Sequence, residues 1–103
     1  MPIDFQRQRF TFAVYRGGPQ TLEKIFTFPA KVRRAEVAIN GFNIGFRYSD
    51  HNLFRQEIDA TVTSVDVNTV AVSVTFALRD SSGNFDDPYD GWVDAMVIVD
   101  RAA

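Results

Sequence analysis

The residues best suited to chemistry cluster near the end of the chain, in LRDSSGNFDDPYDGWVDAMVIVD from Leu78 to Asp100. Six aspartates, one asparagine, a tyrosine and the only tryptophan stand between two apolar runs. Oxygen donors at alternate positions, Asp80, Ser82, Asn84 and Asp86, are of the type that calcium prefers. An EF-hand loop would want glycine where Phe85 stands and a closing glutamate that is missing, and its flanks would be helical. No cofactor is therefore expected, with calcium at this loop as the alternative. The same residues suit sugar recognition. Tyr89 and Trp92 offer ring faces to sugar C–H patches, and Asp80, Asn84, Asp86, Asp87 and Asp90 offer acceptors to hydroxyls. The plain reading, a turn-rich hairpin loop punctuated by Gly83 and Pro88, is compatible with a polar rim that contacts a ligand.

A second set lies in RYSDHNLFR, where Arg47, Asp50 and the only histidine, His51, could share a rim. One histidine alone does not make a usual transition-metal site. No G-x-S-x-G elbow accompanies it, and there is no cysteine to act as thiol nucleophile or zinc ligand. Glu57 and Asp59 share a strand face. Two carboxylates can hydrolyse glycosides, but on an alternating strand they are the ordinary wet side. The basic KVRR stretch has no phosphate-cradling glycine loop beside it. An enzyme is not expected.

These residues must be positioned by strands. In TVAVSVTFALR, Val70, Val72, Val74, Phe76 and Leu78 take one face, and Ala71, Ser73, Thr75, Ala77 and Arg79 take the other. RQEIDATVTSV alternates likewise through Ile58, Ala60 and Val62, and Asp66 to Asn68 form the turn between them. RFTFAVYR puts Phe10, Phe12 and Val14 on one side. Gly17, Gly18 and Pro19 turn the chain into EKIFTFP, and VRRAEVAI follows. Asn40-Gly41 is either a hairpin turn or a bulge in one bent strand, and both would let Val37, Ile39, Phe42, Ile44 and Phe46 point inward. In GWVDAMVIVD, Val93, Ala95, Val97 and Val99 face one way. Trp92, Met96 and Ile98 face the other, interrupted by Asp94. A strand apolar on both sides is buried on both sides, which points to a subunit interface or to a covered central strand.

The 103 residues suit one domain, 1–103, with 46% hydrophobic residues and ten phenylalanines to fill a core. No helical period persists. An all-β, single-domain antiparallel sandwich of about six strands is expected. Net charge is -2, without the basic surplus of a nucleic-acid binder. Residues 1–50 hold eight Lys/Arg against four Asp/Glu, and residues 51–103 hold three against nine. That asymmetry is either chance plus an acidic loop or complementary charge meeting between strands or subunits. No run approaches a membrane span. MPIDFQRQRF lacks an apolar signal segment, so a soluble, cytoplasmic chain is the expectation.

From Lys24 onward the order of segments resembles the H-type lectin domain, the fold of snail agglutinin and of the C-terminal domain of discoidin. IFTFPAKV matches the family's aromatic run into proline and valine, and AEVAINGFNI its central strand. IDATVTSVDVNTVAVSV matches its strand–turn–strand, and VDAMVIVDRA its closing strand. The chain is also similar to bacterial proteins with a D-H loop and an LRDSSGN hairpin. The lectin resemblance implies a six-stranded antiparallel sandwich, a homotrimer, and sugar bound at clefts between subunits. The resulting expectation is non-catalytic carbohydrate binding by a homo-oligomer. Arg47, Asp50, His51, Arg79, Asp80 and Asn84 would meet hydroxyls, and Tyr89 or Trp92 would stack. The competing expectation is an assembly module with no small ligand.

Overall fold

A computed structural model describes residues 2–15, 18–46, 53–80 and 88–103. Six strands appear in chain order: β1 (Ile3–Tyr15), β2 (Gln20–Thr27), β3 (Val32–Phe46), β4 (Leu53–Asp66), β5 (Thr69–Asp80) and β6 (Tyr89–Arg101). They form two antiparallel three-stranded sheets, β1-β6-β3 and β2-β5-β4. The sheets pack into the expected sandwich. Its long axis is 51 Å, close to what a 15-residue strand spans at about 3.3 Å per residue.

The alternation of β5 reads directly onto the packing. Val70, Val72, Val74, Phe76 and Leu78 are buried, as are Val93, Ala95, Val97 and Val99 of β6. Phe10, Phe12, Phe26 and Phe28 fill the space between the sheets. Phe12 stacks on Phe76 with ring centroids 4.3 Å apart.

Three local features differ from, or decide between, the readings of the sequence. First, Val14 does not join Phe10 and Phe12 inside, and is 41% exposed. The β1–β6 register slips between Phe12, opposite Gly91, and Tyr15, opposite Tyr89. The extra residue on β1 flips the face that follows. Second, Asn40-Gly41 is a bulge. β3 runs unbroken along β6, and its register shifts between Ile39, opposite Ala95, and Gly41, opposite Asp94. Third, only part of the expected inward row of β3 is covered. Val37, Ile44 and Phe46 pack on the core, whereas Ile39 and Phe42 remain 40% and 50% exposed. β3 is an edge strand, and the opposing edge strand β4 closes over them only in part.

The other long side of the sandwich is fastened differently. Gln6 and Gln8 of β1 sit in register with inward-facing Val97 and Ala95. Their side-chain amides donate to the backbone carbonyls of Thr27 and Ile25 on β2. Gln20 of β2 returns a bond to the Ala13 carbonyl at 3.3 Å. These bonds use carbonyls that an edge strand would otherwise leave to solvent or to another chain. At one end, the Val67–Asn68 turn is tied to the β2–β3 connection by Phe28 N–H to Asn68 O at 2.8 Å and Val32 N–H to Val67 O at 2.7 Å. Val67 carries φ of 52°, a left-handed geometry that a β-branched residue adopts only when its surroundings hold it there.

The charge asymmetry is partly answered within the first sheet. Arg9 pairs with Asp94 and Arg33 with Asp100, each a base from the first half of the chain beside an acid from the second. Arg101 pairs with Asp4 in the reverse sense at 3.0 Å.

Candidate functional site

The strands carry the expected contact residues to different places. Phe46 pairs with Tyr89, Tyr15 with Tyr89 and Leu53 with Asp80, so these strand ends gather at one end of the sandwich. Arg47, Asp50, His51 and Asn84, together with Ser82, Asp86 and Asp87, lie outside the described residues. Arg79 and Asp80 close β5, and their side chains also lie outside the described set. The fit of the acidic loop to calcium therefore has no described geometry. Among the described residues no three His, Cys, Asp or Glu side chains converge as a metal site.

Tyr89 is a correction. It was expected to offer a ring face to a ligand, but it is fully buried. Its ring packs against Phe76 with centroids 5.7 Å apart. Its hydroxyl donates to the Gly18 carbonyl, and the Phe76 carbonyl oxygen lies 3.2 Å away. This pins the β1–β2 connection to the core, and a buried phenol needs such a partner. The signal was present in the sequence, because the inward row Val93, Gly91, Tyr89 keeps the strand's period of two.

Trp92 is on the opposite, outer face of the β1-β6-β3 sheet. Thr11 of β1 and Asn43 of β3 flank it in register. A Cβ on Gly41 would stand 3.9 Å from Trp92 Cζ3, so the indole reaches over β3 at its bulge. The Arg9 guanidinium lies on the indole, with Cζ 3.7 Å from the ring centroid. Asp94 holds it there by two hydrogen bonds, from Nε to Oδ1 at 2.8 Å and from Nη2 to Oδ2 at 3.1 Å. Arg7, two residues along the same face, is exposed. The result is a rigid polar-aromatic platform: an oriented cation on an aromatic ring, framed by a hydroxyl and an amide. Sequence reading found Trp92 but missed Arg9. The local pattern marks Arg9 only as a wet position of β1, and only the strand register brings it to Asp94, 85 residues away.

The platform grades into apolar surface. Ile3 and Phe5 of β1, on this same outer face, are each 63% exposed. Half-buried Met96 and Ile98 lie in the next row. The outer face of the second sheet differs. There Glu57, Asp59 and Thr61 of β4 lie beside Thr75 and Ser73 of β5, and the hydroxyls of Thr21 and Thr75 share a hydrogen bond across strands at 3.1 Å. That is a polar sheet exterior of alternating hydroxyls and carboxylates. Among the described residues the surface forms no enclosed pocket, so any ligand here meets an open face.

Electrostatics follow the geometry. Hydrogen bonds from Arg9 hold the Asp94 carboxyl below the ordinary carboxylate range. Partial burial opposes this, and the charges of Arg9 and Arg7 add to it. Bonding to Asp94 raises Arg9 in turn. Because the folded value of Asp94 is depressed, the pair stabilises the protein fully above the unfolded-state carboxylate value of about 3.9. That contribution is lost as pH falls through the depressed value. Urea midpoints of the wild type and Asp94→Asn should therefore differ near neutrality and converge as the pH falls through the depressed value of Asp94. The gap should be small, since Arg9 is half-exposed. A gap that persists unchanged into acid would mean that the pair is not what the substitution removed.

No family model, no curated protein and no solved structure matches this chain.

Proposed function

We propose that the chain is a non-catalytic carbohydrate-binding module of the H-type lectin kind that acts as a homo-oligomer, a trimer by that resemblance. One observation carries the reading: a single sheet face bears both an oriented aromatic-polar platform at Trp92 and an apolar surface beside it. Sugars are recognised by flat aromatic surface together with fixed donors and acceptors. The part of the Trp92 ring that Arg9 leaves uncovered supplies the first, and Arg9, Asp94, Thr11 and Asn43 supply the second. The apolar rows suit a second copy, because transferring an exposed Phe5 or Ile3 side chain out of water is worth about 1.5–3 kcal/mol each. The ligand would lie at the margin of that contact. Arg79 and Asp80, which close β5, and Arg47, Asp50, His51 and Asn84, outside the described residues, remain candidates for further hydroxyl contacts. The absence of cysteine, the single histidine and the lack of a nucleophile motif support a non-catalytic role.

A second reading, an assembly module without a small ligand, is favoured by the 63% exposure of Ile3 and Phe5 and by the withdrawal of Tyr89 into the core. Two measurements separate the readings. Light scattering after size exclusion should give an oligomer for the wild type and smaller species for Phe5→Asp. A glycan array, run in calcium and again in chelator, should give binding that weakens on Trp92→Ala. An oligomer that binds no glycan in either condition would move the assignment to the assembly module. A monomer would remove the homo-oligomer from both.

A further inference from the structure

Resting on the carbohydrate reading above, we infer that the sugar recognised at the Trp92 platform carries a carboxylate, received by the outer edge of the Arg9 guanidinium.

A guanidinium has five N–H donors arranged in forks. Asp94 takes the side fork, through Nε and one N–H of Nη2. The end fork, made of Nη1 and the other N–H of Nη2, makes no hydrogen bond to any described residue. Two parallel N–H bonds at that spacing match the two oxygens of a carboxylate. The fork is also fixed in place. Its Cζ stands 3.7 Å from the indole centroid and its inner edge is clamped by Asp94, so less side-chain freedom remains to be lost on binding. Charge favours an anion as well. Arg7 and Arg9 both act on Asp94, so a second cation stands near the fork, while Asp90 lies on the same face beyond Trp92. Thr11 and Asn43, with the part of the indole that Arg9 leaves uncovered, can then meet the hydroxyls and ring of the same sugar. A neutral sugar would leave the end fork to water and would gain nothing from Arg7.

Calorimetric titration of the full chain tests this with matched probes. These are an oligosaccharide ending in glucuronic acid, its methyl ester, its neutral glucose-ended counterpart, a sulfated counterpart and acetate. The acid should bind about tenfold or more tightly than the ester or the neutral sugar, the difference expected from losing a charge-assisted pair of hydrogen bonds. Arg9→Lys keeps the charge but loses the fork, and should erase most of that preference. Arg7→Gln should weaken the acid by a smaller factor, and added salt should do the same. Equal binding of acid, ester and neutral sugar, or a preference untouched by Arg9→Lys, would overturn the carboxylate assignment while leaving a sugar-binding module. Equal binding of the sulfated probe, or full competition by acetate, would overturn it in favour of an unspecific anion site. No binding of any sugar by protein with a normal thermal unfolding transition would remove the carbohydrate reading and this inference together.

Discussion

Gly91→Ala is expected to cost about 4 kcal/mol, at the upper end of what a single substitution does. Gly91 lies in β6, the central strand of its sheet, opposite Ile44 of β3 and Phe12 of β1. A Cβ built there would stand 2.0 Å from the Asn43 carbonyl oxygen and 2.8 Å from Ile44 Cα. Both are backbone atoms of the neighbouring strand, so no rotamer change relieves the overlap. Its φ of 155° adds a conformation that favours glycine. The methyl group can be accommodated only by pushing β3 off β6, which would break the register between the bulge and Phe46. A domain of this size has about 5–15 kcal/mol in total, so the variant should lose much of its urea midpoint or accumulate insoluble. It should also lose any ligand contact that needs Asn43 beside Trp92. A midpoint within experimental scatter of the wild type would mean that the two strands are not this close at Gly91.

Phe76→Ala should be nearly as damaging, for a different reason. Its ring is fully buried. It lies flat against Phe12, with an interplanar angle of 3°, and tilted against Tyr89. Truncation removes the transfer energy of the ring and leaves a cavity among large, stiff neighbours that cannot collapse into it. Phe→Ala at such sites costs about 3–5 kcal/mol. The cavity would also loosen Tyr89, and with it the bond that holds the Gly18 carbonyl. Urea unfolding should show a lowered midpoint with an unchanged slope, since the surface exposed on unfolding is nearly the same. A loss below about 1 kcal/mol would place Phe76 outside the packed centre.

The two-sheet architecture was legible because β5 and β6 obey the period of two along most of their length, and a strict alternation admits one inward face. The start of β1 was not legible. Asp4, Gln6 and Gln8 occupy inward positions, so the apolar alternation begins only at Phe10 although the strand begins at Ile3. The glutamines are there to bond carbonyls of β2, a partner that local sequence does not reveal. Val14 was misplaced because a bulge needs no distinctive residue, whereas Asn40-Gly41 announced an irregularity without saying which kind. The candidate site divides in the same way. Trp92 stands out by type, and Tyr89 was misassigned by type, although its position in the alternation placed it inside. Arg9 acquires its role only through a pairing between the two ends of the chain.

The three glutamine bridges have a consequence for how the molecule breathes. They bind β1 to β2 along one side like the spine of a book, while the β3 and β4 side brings together partly covered apolar side chains and the backbone bonds at its Val67 end. When thermal motion parts the two sheets, the covers should swing about the spine, and the amides along β3 and β4 should exchange with solvent before those of β1. The Arg9, Trp92 and Asp94 platform is carried by β1 and β6, on the bound side. It can keep its geometry through openings that admit water between β3 and β4.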